Sequence, residues 1–136
     1  MKKIVFLNLL LVLSLMLAGC GGDVGEEKDG KFRVAVVMPS AINDLSFSQS
    51  IYDALSDIQA ELGEENFEFV YSDNLFVVDD AAAALRDYAS EGYDLVIAHG
   101  SQYGGSLKEI APDFPETSFM WGTAGDMMAL DNLFVY

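Results

Sequence analysis

Hydrophobic positions along this chain change their period several times. Residues 4–17, "IVFLNLLLVLSLML", are almost unbroken apolar sequence, and "GGDVGEEKDGK" at 21–31 then holds a single valine. "RVAVVM" at 33–38 is a short, valine-rich run, the pattern of a strand buried on both faces. Phe47, Ile51, Leu55, Ile58 and Leu62 recur at helical spacing, and Gly63 stands just past the end. Phe67, Phe69 and Tyr71 then fall on one face and Glu68 on the other, as in an edge strand. A second helix is expected through "AAAALRDYAS", capped by Asp79 or Asp80 and closed by Gly92. "DLVIA" at 94–98 reads as another doubly buried strand, and a third helix covers about 105–111 before Pro112. Strands at 117–121 and 132–136 complete the pattern. Strand and helix alternate, so the expected class is α/β with an open, mostly parallel sheet built from βαβ units. The apolar run "LFVY" at 133–136 has no helix after it to cover the sheet. A finished α/β domain rarely ends on a bare strand, so a partial domain is expected.

The first apolar run follows Lys2 and Lys3 and ends in Ala18, Gly19 and Cys20. A basic start, a short apolar core and small residues at the exit describe a secretory signal. Crossing hydrocarbon takes about 20 apolar residues, so the run is a poor transmembrane helix. The tetrapeptide "LAGC" resembles a bacterial lipobox, which implies cleavage before Cys20 and lipidation of its thiol. An ordinary signal peptide or an uncleaved anchor is the alternative. Cys20 is the sole cysteine, so its acylation leaves neither a disulfide framework nor a cysteine nucleophile. Three segments are therefore expected: a signal at 1–19, a lipidated Cys20 with a Gly-rich tether to residue 31, and a folded part over 32–136. The protein would be extracytoplasmic and would touch the cell membrane only through its lipid.

Charge narrows the partners. Acidic residues number 22 against 7 basic ones, a formal net charge of −15, and losing Lys2 and Lys3 makes it more negative. Such a surface argues against nucleic acid and against a bare anionic membrane. Enzyme signatures are missing as well. The first strand runs into "MPSA" rather than a GxGxxG turn, and "GSQYGGSLK" has Ser106 and Leu107 where a phosphate loop needs Lys and Ser or Thr. No GxSxG elbow occurs. His99 is the sole histidine, without sequence-evident co-ligands, and reads as a structural or hydrogen-bonding residue. Neither catalysis, nor a cofactor, nor a metal is expected.

Open α/β sheets bind ligands in the crevice at the carboxyl ends of their strands. The loops at 39–46, 99–104 and 122–126 fall there. In "PSAINDLSFSQS", Ser46 and Gln49 form a possible S-x-x-Q capping box that starts a helix at Phe47. Asp44 is either a competing cap or a free carboxylate in the crevice. Phe47 either packs onto Ile51 or offers a flat apolar platform to a planar ligand.

A strand followed by "P-x-x-I-N-D-x-S-F-x-Q" resembles the basic membrane protein family, the nucleoside-binding lipoproteins of ABC importers. "EGYDLVIAHGSQYGGSLKEIAPDFPETSFMW" is similar to the same family's second crevice segment. With the lipobox, the resemblance covers nearly the whole chain. It implies periplasmic binding fold type I, with this chain corresponding to the first part of the N-terminal lobe of two. It also implies a purine nucleoside or related small solute as ligand and ABC permease subunits as partners. By the same resemblance Asp44 is a ligand-contacting acid, Phe47 a stacking aromatic, and Asn43 and Ser46 their motif neighbours. Gly100, Ser101 and Gln102 match the loop that approaches the base or ribose. The chain departs from the pattern at Ser40, where the family often has Gly, at Ser48, where it often has Asn, and at Gly122 and Thr123, where many members have an acid. A sensory or structural surface lipoprotein, or a binder of sugar-like solutes, would use the same fold.

Overall fold

The computed structural model describes residues 30–122 and 130–136. The signal segment, Cys20, most of the tether, and Thr123 to Asp126 of the third crevice loop lie outside the described residues. Among the described residues five strands form one sheet: β1 (Phe32–Val37), β2 (Phe67–Ser72), β3 (Leu95–Ala98), β4 (Ser118–Trp121) and β5 (Leu133–Val135). Their order is β2-β1-β3-β4-β5, and every neighbouring pair is parallel. The α/β class read from the sequence is the observed one, and β2 takes the edge that its alternation indicated.

Among the described residues three α-helices cover the sheet: α1 (Phe47–Leu62), α2 (Val78–Ser90) and α3 (Gly104–Ile110). Side chains alternate along each strand, so the two faces build two separate cores. Ala35, Val37, Val96, Ala98, Phe119 and Leu133 pack with Ala81, Leu85 and Ala89 of α2 and Leu107 and Ile110 of α3. Val34, Val36, Met38 and Ile97 pack on the other face with Leu55 of α1, and Ile51 packs against that group. The expected apolar stripe of α1 is only half used, for Ile58 and Leu62 remain 40% and 49% exposed.

Helix starts differ from expectation. The second helix begins at Val78 with Val77 at its N-cap, and no side chain caps it. Asp79 and Asp80 instead occupy the first turn, where their charge favours the helix dipole. Its end is as expected. Gly92 takes φ +76°, while Gly92 N–H reaches Ala89 O and Tyr93 N–H reaches Tyr88 O, the paired bonds of a Schellman turn.

The connectivity fixes where a site can form. β1 connects to its neighbour β2 on one side, and the chain then crosses back to place β3 on the other side of β1. The order reverses between β1 and β3, and the loops leaving those two strands diverge there into a crevice. Residues 38–46 and 99–103 are those loops.

Candidate solute-binding crevice

The strand ladder continues one residue beyond the assigned strands. His99 N–H donates to Val37 O, Gly122 N–H to Ala98 O and Tyr136 N–H to Trp121 O, at 2.9, 3.0 and 3.1 Å. His99, Gly122 and Tyr136 therefore stand side by side at the carboxyl edge, one row past the ends of β3, β4 and β5. Alternation turns this row to the face that α1 covers, and the first turn of α1 lies over it.

Phe47 opens that turn. Its ring lies on the imidazole of His99 with centroids 3.8 Å apart and planes inclined by 15°. His99 is 3% exposed, and both ring nitrogens are engaged. Nε2 is 3.0 Å from Phe47 O and Nδ1 is 2.7 Å from Tyr136 Oη. A carbonyl only accepts, so Nε2 carries the proton and the neutral ring accepts the Tyr136 hydroxyl at Nδ1. Burial pushes the imidazole pKa down, against the bond to Phe47 O and the nearby Asp44 carboxylate, which pull it up. Burial also raises the Tyr136 phenol to about 12, so it stays a donor. The hydrogen-bonding role read for His99 is the one the structure gives it.

Asp44 is the cap of α1. Its Oδ1 accepts from Ser46 N–H at 2.8 Å and Gln49 N–H at 3.1 Å, and its Oδ2 from Ser48 N–H at 3.1 Å. Ser40 Oγ–H adds a fourth bond to Oδ2 at 2.6 Å. Together these hold the carboxyl at about 2, the Ser40 bond contributing most. The expected Ser46–Gln49 box does not form: Ser46 makes no side-chain cap bond, and Gln49 Oε1 accepts from Leu45 N–H instead. Asp44 wins because a carboxylate accepts four N–H or O–H donors, whereas a serine hydroxyl is a weaker acceptor for fewer. The turn that aims it places Leu45 at φ 55°, a costly conformation for a side chain with a Cβ, and leaves Leu45 89% exposed.

Ser40 and Ser48 touch each other. Ser48 is fully buried with Oγ 2.8 Å from Ser40 Oγ. Ser40 gives its proton to Asp44, so Ser48 donates to Ser40 Oγ, and Ser40 N–H returns to Ser48 Oγ at 3.3 Å. The serines thus brace the carboxylate from behind.

The loop after β3 has a divided role. Gly100 is buried, and its carbonyl accepts from Trp121 Nε1 at 2.9 Å and from Tyr103 N–H at 3.1 Å. A Cβ there would stand 2.7 Å from the Tyr103 ring, whose hydroxyl ties this loop to Leu75 O beyond β2. Ser101 is exposed and Gln102 half-buried. With the exposed Asn43, their side chains make no hydrogen bond to another described residue. The structure thus brings Phe47 and Asp44 to one wall of the crevice beside His99, while Asn43, Ser101 and Gln102 stand with free polar groups. Sequence reading missed Tyr136 and Trp121, whose parts follow from sheet register and leave no local signal.

Two further concavities, of about 270 and 260 Å³, lie at the opposite edge of the sheet around Phe114, Pro115 and Leu130. They are distant from the switch point, so the open crevice remains the candidate site.

This doubly wound lobe has the fold of periplasmic binding proteins. The chain belongs to the Bmp family, described as ABC transporter substrate-binding protein PnrA-like, whose pattern matches residues 31–127. A solute-binding protein of an ABC transporter system from Aeropyrum pernix K1 superposes with a TM-score of 0.64 at 24% identity, over 77% of this chain and 28% of that one. Its counterpart from Conexibacter woesei DSM 14684 gives 0.62 at 22%, over 68% and 30%. A transcriptional activator of the comK gene from Bacillus halodurans gives 0.62 at 16%, over 76% and 33%. In sequence, the chain is 29% identical over 119 residues to transcriptional activator protein med of Bacillus subtilis (strain 168), covering 86% of this chain and 36% of that protein. The chain thus spans about a third of the length of these relatives. Among the described residues no helix is long and apolar enough to cross a membrane.

Proposed function

We propose that this chain forms one wall of an extracytoplasmic solute-binding crevice, and that the solute is a purine nucleoside or a close relative. The observation that carries the reading is Phe47, half-buried at the carboxyl edge of the switch point in a chain of a substrate-binding family. Its ring supplies a flat apolar surface, and stacking on such a surface tolerates any heteroaromatic base. Asn43, Ser101 and Gln102 offer neutral donors and acceptors, and Gly100 makes room for the Tyr103 ring that holds their loop. Asp44, spent on four internal bonds, shapes the wall and orients Phe47 from within the loop. The protein binds and does not catalyse; Cys20 carries the lipid that holds it at the cell membrane; permease subunits of an ABC importer receive the solute.

A second reading has its own observation. Two relatives bear the name of transcriptional activators, one similar in sequence and one in fold. A surface lipoprotein that senses a solute, without a permease, would use the same crevice. The strongly acidic chain speaks against direct contact with DNA in either case. Calorimetric titration of the protein with adenosine, guanosine, inosine and, separately, ribose and glucose tests the ligand class. Nucleoside binding without sugar binding is expected. Binding of the sugars alone refutes the nucleoside reading. Co-purification with permease and ATPase subunits supports import, and binding with no such partners in the native membrane supports sensing.

A further inference from the structure

We infer that His99, Gly122 and Tyr136 form a device that positions Phe47, committing one face of its ring to the protein so that a planar solute has only the other. The inference rests on the reading of Phe47 as a ligand platform and goes beyond it by naming what sets the platform.

The geometry is built from three strands and one helix. His99 grips Phe47 twice: by its ring, at 3.8 Å, and by Nε2–H to the carbonyl of the same residue. Aromatic pairs are more often 4.5–7 Å apart between centroids, so this overlap is unusually close. Gripping backbone and ring together removes the freedom that a lone stacking contact would leave. His99 is itself held from the far side by the Tyr136 hydroxyl at Nδ1, with the two rings inclined by only 20°. Phe47, His99 and Tyr136 thus make one row of nearly parallel rings.

Gly122 makes the row possible. It stands between His99 and Tyr136 on β4's continuation, and a Cβ there would be 2.7 Å from Tyr136 Oη and 3.3 Å from His99 Nδ1. A side chain at 122 would occupy the space through which that hydrogen bond passes. Position 122 is therefore the gap across which this chain joins two rings. Among the described residues, the titratable groups facing the imidazole are Asp44, from the loop before α1, and Tyr136, from the end of β5. Neither forces a charge on it, and the neutral tautomer satisfies both bonds.

The test has two arms, because the chain holds a single histidine that NMR can follow alone. Without any ligand, long-range ¹H–¹⁵N spectra of the protein should show the Nε2–H tautomer. The imidazole protons should also be shifted upfield by the Phe47 ring. Gly122→Ala should disturb the tautomer and Phe47→Leu should remove the upfield shift. A freely exchanging imidazole with an ordinary shift overturns the inference. In the second arm, adenosine, guanosine and inosine are titrated into the wild type, Gly122→Ala, His99→Val and His99→Gln. Affinity should fall about tenfold or more in His99→Val and Gly122→Ala. His99→Gln, which keeps an N–H for Phe47 O, should recover part of it. Unchanged affinity in the folded fraction of the first two, with only a lower melting temperature, makes the row structural and overturns the inference. If the wild type binds none of the three nucleosides, the nucleoside reading fails, and the tautomer and ring-shift measurements alone decide the positioning of Phe47.

Discussion

Two adjacent glycines at the start of α3 should respond to alanine with opposite signs. Gly104 and Gly105 both lie in the helix, where alanine is favoured over glycine by about 1 kcal/mol. A Cβ on Gly105 meets nothing within 4 Å, so Gly105→Ala should stabilise the fold by roughly 0.5–1 kcal/mol. A Cβ on Gly104 would stand 2.3 Å from both Cη2 and Cζ2 of Trp121, where ordinary contact begins at 3.4 Å. The indole would have to retreat by about 1 Å, and it is not free to do so. Its Nε1–H is bonded to Gly100 O at 2.9 Å, and its ring packs against the core under α2 and α3. Overpacking of this kind costs about 1–3 kcal/mol, and the lost hydrogen bond about 0.5–1.5 kcal/mol more. Set against the propensity gain, Gly104→Ala should destabilise by about 1–3 kcal/mol. Urea unfolding followed by circular dichroism gives the free energies. Emission of Trp121, the sole tryptophan, reports the displacement directly. If Gly104→Ala stabilises as Gly105→Ala does, or leaves the emission unchanged, the packing of Trp121 on the helix start is wrong.

The remaining expectations concern the crevice and the N-terminus. Phe47→Leu should keep the fold and weaken nucleoside binding by about 1–3 kcal/mol; calorimetry and melting on the same sample separate this from a core defect. Asp44→Asn replaces an acceptor oxygen with a donor facing donors, so its melting temperature should fall at neutral pH. The wild-type carboxyl is depressed from 3.8 to about 2, so its contribution is present above pH 3.8 and lost as pH falls through about 2. The Asn variant should lack that acid-side loss, and equal pH slopes between the two proteins would count against the cap. Cys20→Ser should yield unprocessed precursor or protein shed from the membrane; a variant that fractionates and migrates like the wild type would refute lipidation at Cys20.

Much of the fold was legible because burial on two faces leaves a mark in the sequence. "RVAVVM" and "DLVIA" carry apolar residues at consecutive positions over a strand's length, as a strand between two covered faces needs. The alternation of Phe67, Glu68 and Phe69 likewise announced an edge. Helix caps were legible only as alternatives, since several polar residues near each start compete for the same N–H groups. At α1 two candidates, Asp44 and Ser46, lay within three residues, and the winner was the one with a carboxylate and a turn able to aim it. At α2 no side chain won, and the helix simply began earlier.

The site was legible only as far as local sequence reaches. Phe47 and the loops beside it could be placed from the strand ends, because crevices form where strand order reverses. The contact between His99 and Tyr136 could not, for it spans 37 residues and depends on register. Register in a parallel sheet is set by how each helix seats its apolar face, and a shift of one residue would turn His99 away from α1. Gly122 then has a meaning that no local pattern supplies. As an isolated glycine after a strand it reads as a turn residue, yet its φ needs no glycine and its lack of a side chain does. At Gly122 the lack of a side chain leaves the space across which His99 and Tyr136 join behind Phe47.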